Sequence, residues 1–258
     1  MTIELEFGTL LRLIDERSAR FRAVAASAPD LGVPVPSCPE WTLSDLVHHL
    51  GEVHRSWAAN VAAGPASAPR PTDVPHPPRA REALLAWSEE STRLLLHALR
   101  EAGPDRGCWT WWGVSQSPQT SGAVARHQVQ EAAVHTYDAQ LAAGGPRPLP
   151  VDAALDGVDE FLHTCCATTS AWPHEPADID FHATEGRSWR LSLTADGARV
   201  TRLPARGATT PPPTASARAT AGELVLSLYD RLPMDSLETG GDPRVLRQLQ
   251  AWESDEEE

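Results

Sequence analysis

Lysine is absent from this 258-residue chain, so all 22 of its basic residues are arginine. Chemistry that needs a lysine amine, whether a Schiff base or the lysine of a phosphate-binding loop, is thereby excluded. Cysteine is scarce: the four present are Cys38, Cys108, Cys165 and Cys166, and none forms a C-x-x-C pair. No long apolar run occurs, and the opening stretch MTIELEFGTLLRLIDERSARF is amphipathic and charged, unlike a signal peptide or a membrane span. Positive charge is short as well. The net charge is −13, and removing the five acids of residues 253–258 leaves the body at −8. Nucleic acid and anionic membranes require a basic surface, so neither is an expected partner. The acidic tail reads as solvated and disordered. Thiols without a disulfide pattern point to a reducing, cytoplasmic setting. Arginine in place of lysine, with abundant alanine and proline, reads as the mutational bias of a GC-rich genome.

What is present is helical periodicity. Ile3, Phe7, Leu10, Leu11, Ile14 and Phe21 recur at helical spacing, and the pattern stops before Pro29. A second helix has a clear start, with Thr42 as N-cap, Asp45 three residues on, and Trp41 and Leu46 placed for a hydrophobic staple. It runs to Gly64 with Leu46, Leu50, Val53, Trp57 and Val61 as its apolar stripe. His49 lies along the edge of that stripe, whereas His48 falls with Asp45, Glu52 and Arg55 on the polar side. A proline-rich loop over residues 64–78 leads to a third helix over 79–102, carrying Leu84, Leu85, Leu94, Leu95 and Leu99. Trp109, Trp111 and Trp112 crowd the next loop and read as a plug for one end of a helical bundle rather than a pocket wall. A fourth helix, residues 122–143, stops at Gly144, Gly145 and Pro146.

Beyond it the pattern predicts a helix over 152–167, then a β-hairpin turning at Asp196 and Gly197. A further strand is expected at SARATA. Two helices close the chain, one opened by a Thr220/Glu223 capping box and one by Asp242-Pro243. The expected fold is therefore mainly α: a four-helix bundle over 1–150, then a connecting helix and small α+β domain over 151–252, then the tail over 253–258.

The fourth helix holds the chemistry. In RHQVQEAAVHTYDAQ, residues 126–140, the side chains of His127, Glu131, His135 and Asp138 fall three or four apart on one helix face. A carboxylate beside an imidazole can hold a divalent metal or exchange a proton. Spacing alone favours the simpler reading, a solvated face, and places His127 on that surface. A lone histidine such as His49 is by itself more often a satisfied core residue than a ligand. Asp138 reads equally as a surface acid or as a partner for a neighbouring group.

Three stretches, SCPEWTLSDLVHHLGEVHRSW, QEAAVHTYDAQLAAG and GELVLSLYDRLPMDSLETGGDPRVL, together resemble the mycothiol-dependent maleylpyruvate isomerase family. That family is typical of actinobacteria and belongs to the DinB-like metal-dependent superfamily. The resemblance implies a DinB-like four-helix bundle followed by a small α+β domain. It implies Zn²⁺, or another divalent metal, on His49, Glu131 and His135, with mycothiol as thiol cosubstrate and a small electrophile as substrate. Two nitrogens and one carboxylate oxygen leave an open position, the pattern of a catalytic zinc. Arg231 matches the family arginine that binds the anionic substrate, and it is the expected catalytic and cofactor-binding residue. Asp138 is the expected partner of a metal ligand or contact for the thiol cofactor. Gln130 stands where relatives carry histidine, and His127 where they carry a second arginine. Isomerase and S-transferase are not distinguished. A metal-dependent hydrolase and a non-catalytic small-molecule binder on the same fold are the alternatives, as a monomer or small homo-oligomer.

Overall fold

The computed structural model describes residues 5–65, 77–204 and 211–252; Ile3, most of the first proline-rich loop and the acidic tail lie outside the described residues. The chain divides into two compact units, one made of Met1–Thr110 with Gln119–Leu149, the other of Trp111–Pro118 with Pro150–Glu258. As expected, the first is a four-helix bundle and the second a small α+β domain. No helix among the described residues is long and apolar enough to cross a membrane.

In the bundle, α1 (Phe7–Ser27) precedes a two-stranded ribbon of β1 (Pro34–Val35) and β2 (Cys38–Thr42), which delivers the chain into α2 (Leu43–Ala63). The start of α2 is set locally. Thr42 Oγ1 accepts from the Asp45 amide, and the Asp45 carboxylate accepts from the Thr42 amide. Helices α3 (Arg81–Ala102) and α4 (Ser121–Ala142) complete the unit, with α1 against α4 and α3, and α2 against α3 and α4. Gly51 lets α2 approach α3: a Cβ there would lie 2.0 Å from the Trp87 ring. Arg81 ties the end of α1, donating to the carbonyls of Ala26, Ala28 and Pro29.

The burial of α4 departs from expectation. Of its 22 residues, 15 are buried, among them His127, Gln128, Gln130, His135, Thr136, Asp138 and Gln140. The solvated face read from spacing does not exist, because α4 packs on both α1 and α2. The tryptophan-rich loop also differs from the plug expected of it. The Trp109 amide bonds the Gly64 carbonyl within the bundle, but Trp111–Pro118 is part of the second unit. There Trp112 is fully buried, while Trp111 is 39% exposed.

The second unit opens with α5 (Val151–Phe161), extended by a π-helical turn over Leu162–Cys166. Its sheet has the order β5-β4-β3-β6-β7, with β3 (Ala177–Ala183), β4 (Ser188–Thr194), β5 (Gly197–Arg202), β6 (Ala215–Ala219) and β7 (Glu238–Gly241). The β4–β5 hairpin is the expected one, shifted by one residue: Thr194 pairs with Gly197 across Ala195 and Asp196. Gly197 has φ 114°, and a Cβ there would meet the Thr168 carbonyl at 2.1 Å. β6 runs parallel to β3 and antiparallel to β7. Sequence periodicity offered neither β3 nor β7. Helices α6 (Ala221–Leu228) and α7 (Pro243–Ala251) carry the expected caps at Thr220/Glu223 and Asp242.

Candidate metal centre

His49 comes from α2, while Glu131 and His135 come from successive turns of α4. Each offers one donor atom, and the three atoms lie within 4.8 Å of one another, the one such cluster among the described residues. The capping box fixes where α2 begins and so which way His49 faces. The His49 ring meets the His135 ring edge-on at 5.0 Å between centroids, and Trp41 lies 4.7 Å from His49 and 6.5 Å from His135.

The second nitrogen of His135 is spoken for. Its Nδ1 is 2.9 Å from Asp138 Oδ2, and Asp138 Oδ1 accepts from Ser37 Oγ at 2.6 Å. Asp138 has no exposed surface. An ionised carboxylate only accepts, so Nδ1 carries the proton and Nε2 is the end directed at Glu131. There Nε2 stands 3.3 Å from Glu131 Oε2, out of hydrogen-bond alignment, and Oε2 is buried with no hydrogen-bond partner. On the opposite oxygen, Glu131 Oε1 lies 3.8 Å from His127 Nε2.

The local field holds Glu131 ionised. Burial by itself would raise its pKa, but the contact with His135 and the charges of His135, His127 and His49 bring it down to about 2. Burial by itself would lower the pKa of His135. Asp138 and Glu131 outweigh that and raise it to about 9. Without metal, His135 therefore holds a proton that a metal would have to displace.

Of the residues singled out from sequence, the fold brings together His49, Glu131, His135 and Asp138. His127 is only 6% exposed, beside Glu131 with its ring edge-on to Trp57, and not on the surface as expected. Arg231 belongs to the other unit, just past the end of α6, where its Nη1 donates to the Tyr229 carbonyl at 2.7 Å. Sequence reasoning missed Ser37, Trp41 as a neighbour of His49, and His54. The last is 1% exposed on α2, with Nδ1 3.2 Å from Thr92 Oγ1 and Nε2 unpartnered. Burial drives its pKa down to about 3. The signal for Ser37 was its place two residues before β-strand residue Pro39, in the ribbon leading to the cap, but nothing local links it to Asp138. No disulfide joins the four cysteines; burial raises the pKa of Cys108, and burial together with Glu160 raises that of Cys166 to about 12.

The family described as the mycothiol maleylpyruvate isomerase N-terminal domain matches residues 11–140, and the MDMPI C-terminal domain matches residues 152–248. Two crystal structures share the fold: the mycothiol-dependent maleylpyruvate isomerase and a histidine-to-alanine mutant of it. Each has a TM-score of 0.55 and 15% identity, over 92% of this chain and 93% of the other. Comparison with curated proteins gives no match. With both halves of the chain matched in order, the protein belongs to the mycothiol maleylpyruvate isomerase family.

Proposed function

We propose that this protein is a metal-dependent enzyme that activates the thiol of mycothiol for addition to an electrophilic small molecule, as a cis–trans isomerase or an S-transferase. The observation that carries the reading is the convergence of three ligand atoms at Glu131. Oε2 is buried without a hydrogen-bond partner, faces His135 Nε2, and lies in a three-donor cluster with His49. A buried carboxylate calls for a cation beside it, and a metal can take the place of the His135 proton. A divalent metal fits this donor set. Two imidazoles and one carboxylate favour zinc and leave room for a further ligand.

His49, Glu131 and His135 would hold the ion, and the chemistry it would supply is the lowering of a thiol pKa until the nucleophilic thiolate prevails near neutrality. Asp138 serves the centre through His135. It fixes the imidazole tautomer that presents Nε2, and Ser37 in turn holds Asp138. Trp41, against His49, limits the rotation of that ring. We assign to Arg231 the grip on a carboxylate of substrate or cofactor, because a guanidinium fork matches a carboxylate in two places. The reaction class is addition of the thiolate to an activated double bond. An isomerase loses the thiol again after rotation about the former double bond; a transferase retains it. Cysteines without a disulfide fit a reducing cytoplasm.

The test is a titration of the metal-loaded protein with mycothiol. One equivalent of zinc is expected, with thiol binding that is lost in His49→Ala. Zinc without thiol binding would move a hydrolase, with water in place of the thiol, ahead of this reading. Failure of zinc to bind or to raise the melting temperature would remove the metal centre altogether.

A further inference from the structure

Glu131 is placed between two imidazoles of its own helix, one turn before it and one turn after, and each addresses a different oxygen. His135 Nε2 stands 3.3 Å from Oε2, and His127 Nε2 stands 3.8 Å from Oε1. His135 belongs to the three-donor cluster; His127 does not. Yet His127 is 6% exposed and its ring lies edge-on to Trp57 at 6.3 Å, so it is held in the interior next to the far oxygen of the carboxylate.

We propose that His127 is a positioning residue that keeps Glu131 a one-oxygen ligand, and so preserves an open position at the metal for the thiol. The inference rests on the metal reading above. A carboxylate can grip a cation through one oxygen or both, and the choice costs little unless something claims the second oxygen. At 3.8 Å the His127–Glu131 contact is electrostatic rather than a hydrogen bond. The terminal torsion of a glutamate is broad and soft, so a modest rotation of the carboxylate brings Oε1 into hydrogen-bond range of an Nε2–H donor. A hydrogen bond to an ionised acceptor is among the stronger kind. With Oε1 so engaged, Oε2 alone is left for the metal. Chelation through both oxygens would fill the coordination site that a thiol requires.

Cobalt(II) in place of zinc reports the coordination number through its visible absorption. The wild-type protein is expected to show the intense bands of a four-coordinate ion. His127→Leu removes the donor at similar bulk. It should weaken those bands toward a five-coordinate spectrum and reduce cobalt affinity roughly 10–100-fold, the range seen when groups holding a metal ligand are removed. His127→Gln keeps an N–H near the same place and should restore both. Circular dichroism and the melting temperature check that each variant is folded. Should leucine prevent folding, asparagine, whose amide stops short of Glu131, takes its place with the same expectation. A leucine or asparagine variant that binds cobalt with wild-type affinity and an unchanged spectrum overturns the role of His127 while leaving the metal centre intact. No cobalt binding by the wild type is a different failure, because it removes the centre itself and the inference with it.

Discussion

Each unit buries carboxylates, but in different company. In the α+β unit, Asp180 is gripped by Arg190 through two contacts of 2.7 and 2.9 Å, and Arg190 also donates to the Pro211 carbonyl. Asp159 accepts from the Trp189 indole at 2.8 Å and takes Arg202 on both oxygens. In the bundle, Glu131 faces imidazoles instead, and one of its oxygens has no hydrogen-bond partner. A guanidinium cannot give up its charge, so an arginine-bound carboxylate is closed to other cations. An imidazole can exchange its proton for a metal, so a histidine-faced carboxylate stays open. The difference separates a pair that holds a fold together from a group that waits for a ligand.

The comparison breaks most completely if Glu131 is made neutral. Glu131→Gln should cost more than the roughly 100-fold in metal affinity at the top of the range for supporting residues, read by competition with a chelator. The fold should survive, because that oxygen has no hydrogen-bond partner to lose. In the other unit the opposite is expected. Asp180→Ala leaves the buried Arg190 guanidinium without its fork and should cost about 3–5 kcal/mol in urea unfolding, with metal binding unchanged. Asp138→Ala lies between these. It should lower metal affinity about 10–100-fold by releasing the tautomer and orientation of His135.

Acid sharpens the contrast inside the bundle. His54 is buried neutral, with its pKa lowered from 6.5 to about 3 by burial. Between those values the unfolded chain takes up a proton that the folded chain refuses. The stability this group contributes is thus full above pH 6.5 and lost progressively as pH falls toward 3. Within that window the slope is at most about 1.4 kcal/mol per pH unit. His54→Gln should flatten it in an acid-unfolding series. His135 has the opposite sign. Its pKa is raised to about 9, so its contribution is present below 6.5 and lost as pH rises through 9 in the metal-free protein.

Much of this was legible in the residues. The caps at Thr42, Thr220 and Asp242 open helices where their side chains announce them, because capping is a matter of three or four neighbouring residues. The β4–β5 hairpin followed from alternation and an Asp-Gly pair, with the turn one residue earlier, at Ala195 and Asp196. β3 is not offered by the sequence, although Ile179 and Phe181 alternate, because a charged residue, Asp180, stands between them. Asp180 is buried by its pairing with Arg190, a residue ten positions away. The tryptophans of the 109–112 loop could not be allotted from composition, since the two compact units divide between Thr110 and Trp111.

By itself the sequence determined the helices, their starts and the spacing that aligns His127, Glu131, His135 and Asp138 on one face of α4. Local hydrogen bonding and the 3.6-residue period are properties of neighbouring residues. Whether that face was wet or dry was decided by tertiary structure alone, because burial depends on what packs against a helix and not on its own pattern. The same packing brought His49 to Glu131 and His135, tied Asp138 to Ser37 across 101 residues, and buried His127 against its glutamate. A carboxylate acquires a partnerless oxygen only when an interior closes around it, and that oxygen is what turns a row of polar residues into a candidate metal centre.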